Sequence, residues 1–183
     1  MNHSANTNVG GWKGCDLRYD ILGSTDINDG NATTTTATNP VANTLMAALP
    51  SDLRAVMQPM TIYTDNTGGA NASTTNIGNI DEESAVTASV DYLPLLAEFE
   101  IFGTDAENSN SAEKSYQEQY AYYSAGNSKV KIRDPGDLSS VAWWWERSPL
   151  RFSSAYFCMV GTNGSSAQTN VRRSGGIAPI FRV

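Results

Sequence analysis

Histidine is almost missing from this sequence: there is one, His3, in 183 residues. That scarcity removes His-based catalytic triads and most zinc sites, which need an imidazole to move a proton or bind the metal. Cysteine is nearly as rare. Cys15 and Cys158 lie too far apart for a CxxC redox or zinc pair, and they read either as one long-range disulfide or as two buried free thiols. Basic residues are few as well, with 12 Lys and Arg against 19 Asp and Glu and a formal net charge of −7. A binder of phosphate backbones needs a dense cationic face. Here only Arg172-Arg173 and the scattered Arg147, Arg151 and Arg182 place positive charge near the C-terminus, so nucleic acid is not the expected partner. No run approaches the ~20 apolar residues that span a bilayer, and membrane insertion is not expected. Met1–Asn8 lacks the charged-then-apolar layout of a signal peptide. Export would need another route, a virion or a longer precursor. Internal repeats are also absent.

What the sequence does have is polar turn chemistry. Ser, Thr, Asn and Gly are abundant around a hydrophobic fraction of 40%, which predicts long irregular loops between short elements. The length suits one domain able to bury a core without metals or disulfides. Residues 1–9 are expected to be a disordered N-terminal segment and 10–183 a single domain. Asp16–Leu22 has helical spacing, whereas Gly23–Thr38 is expected to be an exposed loop. Asn39-Pro40 reads as a helix start, with Val41, Leu45, Met46 and Leu49 on one face. Pro50 ends that helix, and Ser51-Asp52 caps a second with Leu53, Val56 and Met57 inward, stopped by Pro59. Met60–Thr64 alternates as a strand, Asp65–Asp81 is a loop, and alternation over Tyr92–Gly103 predicts core strands. Further strands are expected at Lys129–Arg133, Ala155–Val160 and Ile177–Val183, after an apolar stretch at Val141–Trp145. Helices first and strands later predict an α+β domain.

Catalytic and metal chemistry find little support. Glu98 and Glu100 would share one face of an exposed strand, where two carboxylates are usually solvated. Asp26, Asn28, Asp29 and Gly30 faintly resemble a calcium loop, but Ala37 stands where the closing Glu belongs. No metal or cofactor is expected. Among Trp143, Trp144 and Trp145, strand alternation buries at least one, and Trp144 is expected in the core. Arg147 before Ser148-Pro149 is expected to fix a turn.

Several segments, in order, resemble a known family. They are Gly10-Gly11-Trp12, Leu49 to Val56 (LPSDLRAV), Pro59 through Tyr63-Thr64-Asp65, Glu98 to Gly103 (EFEIFG), and Tyr122 to Lys129 (YYSAGNSK). Trp143 to Pro149 (WWWERSP), Phe157-Cys158 and Gly176 to Val183 (GIAPIFRV) complete the set. Together they are similar to the C-type-lectin-like variable proteins of diversity-generating retroelements. These belong to the formylglycine-generating-enzyme-like lectin-fold family of microbial and phage surface proteins. Two departures stand out: the Gly23–Thr38 insertion, and Trp145-Glu146, where the family would place an aliphatic residue before Arg-Ser-Pro.

The resemblance implies short helices around twisted antiparallel strands, with a variable region at about residues 143–183. It implies a ligand-binding display protein, not an enzyme, located on a cell surface or virion and recognising a protein or glycan on another cell or virus. The positions it marks as variable are Leu150, Arg151, Phe152, Ala155, Tyr156, Met159, Gly161, Thr162, Ser165, Gln168, Asn170, Arg172 and Arg173. From the residues themselves, Phe157, Cys158 and Val160 read as framework, because a strand must keep one face buried to hold its register. Tyr156, Met159, Arg151, Phe152, Arg172 and Arg173 read as exposed, and Tyr and Arg commonly anchor interfaces; Phe152 and Met159 read equally as core. Two alternatives remain at this stage: an invariant structural domain of the same fold, and a formylglycine-generating-type enzyme dependent on Cys158.

Overall fold

Pro40, Pro50 and Pro59 cut the stretch 40–59 into short pieces. The computed structural model describes residues 1–2, 6–29, 33–68 and 82–183; His3, Gly30 and most of the expected 65–81 loop lie outside them. Helix α1 (Leu45–Ala48) starts at Thr44, whose hydroxyl accepts a hydrogen bond from the Ala47 N–H at 3.3 Å. Pro50 has no N–H to extend α1, and its fixed φ opens α2 (Ser51–Val56). The start expected at Asn39-Pro40 is displaced because Asn43 takes a left-handed φ of 66°, which interrupts helical winding and leaves Val41 exposed. Val56, expected inward, is also exposed. At the end of so short a helix only Leu53 and then Met57 reach the core. The helix expected over Asp16–Leu22 forms at Leu17–Leu22 as a π-wound turn that buries Leu17, Arg18 and Leu22.

Parts of two segments expected in solvent are packed instead. The described part of Gly23–Thr38 buries Ser24, Thr25, Asp26, Asp29, Thr36 and Ala37. Its polar atoms find fixed partners: the Ser24 carbonyl accepts from the Tyr92 N–H, the Ser24 hydroxyl accepts from the Leu93 N–H, and the Thr36 hydroxyl donates to the Thr25 carbonyl. Polar composition does not prevent burial when each group is satisfied. The N-terminal segment 1–9 was expected to be disordered, yet Met1, Asn2 and Asn8 are buried. The Met1 ammonium donates to the Val171 carbonyl at 3.1 Å. The Asn8 amide reaches the carbonyls of Leu150, Ser153 and Tyr156, so the start of the chain holds a loop 142 or more residues away.

Strand β1 (Met60–Asp65) pairs antiparallel with β2 (Val86–Asp91), from Met60↔Asp91 to Asp65↔Val86. Gly11 packs against the end of β1 so closely that a Cβ there would lie 2.1 Å from the Asp65 carbonyl, at a φ of +54° that also favours glycine. The strands expected over Tyr92–Gly103 are absent. That stretch is irregular and then forms helix α3 (Glu98–Phe102), every residue of which is buried. A short helix α4 (Ala121–Ser124) follows. Next come two antiparallel units: the hairpin β3 (Lys131–Asp134) with β4 (Asp137–Ala142), and a three-stranded sheet of β5 (Trp144–Pro149), β6 (Tyr156–Val160) and β7 (Ser166–Asn170). The last strand expected, Ile177–Val183, is reduced to isolated contacts, including a bridge from Arg182 to Gln58. Pro179 removes a ladder donor there.

The described residues thus form a mixed α and β structure of short helices and small antiparallel sheets. Trp144 and Trp145 insert into two different core clusters. Trp145 joins Trp12, Leu95 and Phe157, while Trp144 joins Ile101, Tyr123 and Val160. A third cluster holds Met46 and Met57 of the helical region with Tyr92 and Leu93. Cys15 and Cys158 are both buried and unbridged.

Candidate ligand-binding surface

The β5–β6–β7 sheet decides which late residues reach solvent. All six residues of β5 are buried, so this strand is interior on both faces. In β6, Phe157, Cys158 and Val160 are buried, in keeping with their expected framework role. Cross-strand partners share a face, so Tyr156 lies beside Asn170 and Cys158 beside Gln168, whereas Met159 lies beside Ala167 on the other face. Tyr156 is exposed. Met159 is only partly exposed and packs on the Trp145 cluster with Trp143, so both earlier readings of it hold in part.

The expected positions divide into two ends of the hairpin and a middle. Arg151, Phe152, Ala155, Tyr156, Asn170, Arg172 and Arg173 gather where β6 begins and β7 ends. There the Val171 N–H donates to the Ala155 carbonyl, and the Arg151 guanidinium lies 4.4 Å from the Phe152 ring centroid. Phe152 is 55% exposed, which decides its reading against core. Gly161, Thr162 and Ser165 form the turn at the opposite end, closed by the Gly161 N–H donating to the Ser165 carbonyl. Met159 and Gln168 lie between. Leu150 and Gly161 are buried and leave the contact set; the other eleven positions are exposed or half-exposed. Leu150 is buried because its N–H donates to the Tyr156 carbonyl and turns the side chain under the loop held by Asn8.

Charge separates this end of the chain from the rest. Residues 147–183 hold five Arg and no Asp or Glu, while the other seven Lys and Arg and all 19 acids lie in 1–146. Arg172 and Arg173 are exposed and take part in no ion pair among the described residues. A locally positive, aromatic-bearing surface thus sits on an acidic molecule.

Beneath the sheet lies a feature that the sequence reading missed. Glu98 and Glu100, expected on a solvated strand face, are buried in α3, and with Glu113 and the β5 residue Glu146 they make four buried carboxyl groups. Glu98 accepts from the N–H groups of Asn108 and Ser109, from the Asn108 amide, and from the Ser166 hydroxyl at 2.6 Å. It thereby ties α3 to β7. Glu100 forms a two-point ion pair with Arg147, 2.6 Å at each oxygen, and Arg147 also donates to the Thr64 hydroxyl and the Leu95 carbonyl. Arg147 therefore does not fix a turn; it clamps β1, α3 and β5 together. The signal for this was present: EFEIF also fits a helix with apolar residues at 99, 101 and 102, and an Arg inside a run of buried residues demands a buried acid.

Glu113 is pushed up to about 7 by burial, against the opposing effects of the Asp65 N–H, the Ser148 hydroxyl, Arg147 and the Gln117 amide. Burial raises Glu146 well above the carboxylate range, helped by the charges of Glu98 and Glu113, and neither of its oxygens has a hydrogen-bond partner among the described residues. Cys158 is likewise raised, first by burial and then by Glu98 and Glu146, so at neutral pH it is a thiol rather than a nucleophilic thiolate. Elsewhere, the acids of the faint calcium loop are engaged by protein groups. Asp29 pairs with Arg18 at 2.9 Å, and Asp26 accepts from Asn28.

No curated protein and no solved structure matches this chain. Over its whole length, residues 1–183, it belongs to the family described as a domain of unknown function, DUF6273.

Proposed function

We propose that this chain is a ligand-binding display protein of C-type-lectin-like fold, a variable protein of a diversity-generating retroelement. It would act at a cell or virion surface and recognise a protein or glycan through β6, β7 and their flanking loops. The observation that carries this reading is the division of roles within one hairpin. Phe157, Cys158, Val160 and Val171 are buried, while eleven of the thirteen positions around them reach solvent. A surface so arranged can change its side chains without touching the core, because framework and contact positions interleave on a fixed backbone. Tyr156, Phe152, Arg172 and Arg173 supply the residue types that dominate binding interfaces. The protonated, enclosed state of Cys158 weighs against the cysteine-dependent enzyme and for the binder.

Sequencing this gene across many individuals of its source population tests the proposal. Replacement substitutions concentrated at the eleven exposed positions, with Phe157, Cys158 and Val160 constant, are expected. Uniform and mostly silent variation would instead favour an invariant structural domain.

A further inference from the structure

The chain has a concave surface outside the β6–β7 positions apart from Thr162. A groove of about 670 Å³ runs between the β3–β4 hairpin and the segment 174–178. That volume falls within the range of small-ligand sites, roughly 300–1,000 Å³. Its walls are largely apolar, with Ile132, Val141, Trp143 and Ile177 among them, and hydroxyls only at Thr162 and Ser174. Two cations, Lys131 and Arg133, line it, and no Asp or Glu does. Neither cation takes part in an ion pair among the described residues. The hairpin's own acids are occupied elsewhere: Asp134 accepts from the Gly136 N–H, and Asp137 accepts from the Ser139 N–H and hydroxyl.

The cationic and aromatic groups are held in place. The Lys131 ammonium sits 5.5 Å from the centroid of the buried Trp144 ring, which fixes it at the groove wall. Trp143 stacks edge-on to Trp145 at 5.0 Å and covers Gly175 so closely that a Cβ there would lie 2.1 Å from its ring. Gly175 is thus needed for the indole to form the wall.

We propose that this groove binds an acidic peptide segment, with an apolar side chain on the aliphatic and indole walls and neighbouring carboxylates on Lys131 and Arg133. An acidic sugar fits less well, since its ring hydroxyls would be desolvated against Ile132, Val141 and Ile177 without partners. This site goes beyond the proposed variable surface and does not depend on whether that surface varies. Its cations and its indole lie outside the thirteen positions.

The test is isothermal titration of the whole chain with an acetylated, amidated pentapeptide of alternating Asp and Phe. The same peptide with Asn for Asp, and tetragalacturonate, serve as comparison probes. Saturable binding of the acidic peptide is expected, weakened about tenfold or more by K131Q/R133Q and by raising salt well above ~0.1 M, where exposed charges are screened. Both cations are exposed, so this double variant should fold, as far-UV circular dichroism will check. Gly175→Ala should weaken binding by displacing the indole, whereas R172S/R173S should leave it unchanged. Absence of saturable binding, equal binding of the Asn peptide, insensitivity to K131Q/R133Q, loss in R172S/R173S, or binding of tetragalacturonate instead would each overturn the assignment.

Discussion

Charged groups behave in opposite ways above and below the β5–β6–β7 sheet. Below it, Glu98, Glu100 and Arg147 are buried and nearly every oxygen and nitrogen has a partner. Above and around it, Arg172 and Arg173 stand in solvent, outside any ion pair among the described residues. The lower set joins elements that share little sequence proximity: Arg147 reaches β1 and α3, and Glu98 reaches β7. The upper set holds nothing together. A charge that supports the fold cannot change without cost, and one that only faces solvent can. The two kinds sit on different elements: the supporting charges are on α3 and the doubly buried β5, and the exposed pair follows the end of β7.

The largest contrast is expected from Glu100→Ala. It leaves Arg147 buried without its carboxylate and should lower stability by about 3–5 kcal/mol, read from thermal or denaturant unfolding. An effect as small as that of a surface change would mean that the clamp is not structural. The next effect is on pH. Glu113 has a folded pKa of about 7, raised from an ordinary 4.5, so between these values the folded chain holds a proton that the unfolded chain has lost. Its contribution is therefore most favourable below about pH 4.5 and falls as pH rises towards 7, by about 3 kcal/mol in all. Unfolding curves at pH 5 and pH 8 should differ more for the natural chain than for Glu113→Gln; equal slopes would contradict the burial argument.

Glu146 should show the reverse sign. Its carboxyl oxygens lack partners among the described residues, so Glu146→Met fills the same space without a desolvation cost and should raise the unfolding midpoint, by about 1–3 kcal/mol in stability. The gain should grow as pH rises and ionisation of Glu146 becomes more favourable in the unfolded chain. A destabilised Glu146→Met would instead show that the carboxyl has a structural task. Smallest of all, Arg172→Ser and Gln168→Ser should each change stability by less than about 0.5 kcal/mol, as exposed positions do.

Much of the frame was legible in the sequence for local reasons. Pro50 and Pro59 bracket α2, Met60–Thr64 alternates, and the apolar run at Ala155–Val160 is long enough for one strand. The failures have a common physical origin. EFEIF alternates charge and apolarity like a half-exposed strand, yet its acids turn inward because Arg147 and the 107–109 backbone receive them. Gly23–Thr38 and residues 1–9 look soluble, but among their described residues Asp29 accepts from the Val90 N–H of β2 and Asn8 donates to the 150–156 loop. Long-range partners of this kind leave no periodic trace. Of the candidate surface, exposure at Tyr156, Arg172 and Arg173 followed from residue type, whereas Phe152 read equally as core and only its place in the loop decides it. The burial of Leu150 did not, because it depends on Asn8 at the far end of the chain. Glu146 was visible only as a departure from the resembled pattern, and its burial within β5 among other carboxyl groups gives that departure a physical cost.

The claim that one hairpin carries a replaceable surface on a fixed frame is tested most directly by a combinatorial library. Phe152, Tyr156, Thr162, Ser165, Gln168, Arg172 and Arg173 would be randomised together, and each member scored for folding by protease resistance and for binding to a panel of surface proteins and glycans. The account predicts that most members stay folded at near-natural stability while their binding preferences diverge. Widespread unfolding, or binding preferences that ignore the seven positions, would contradict it.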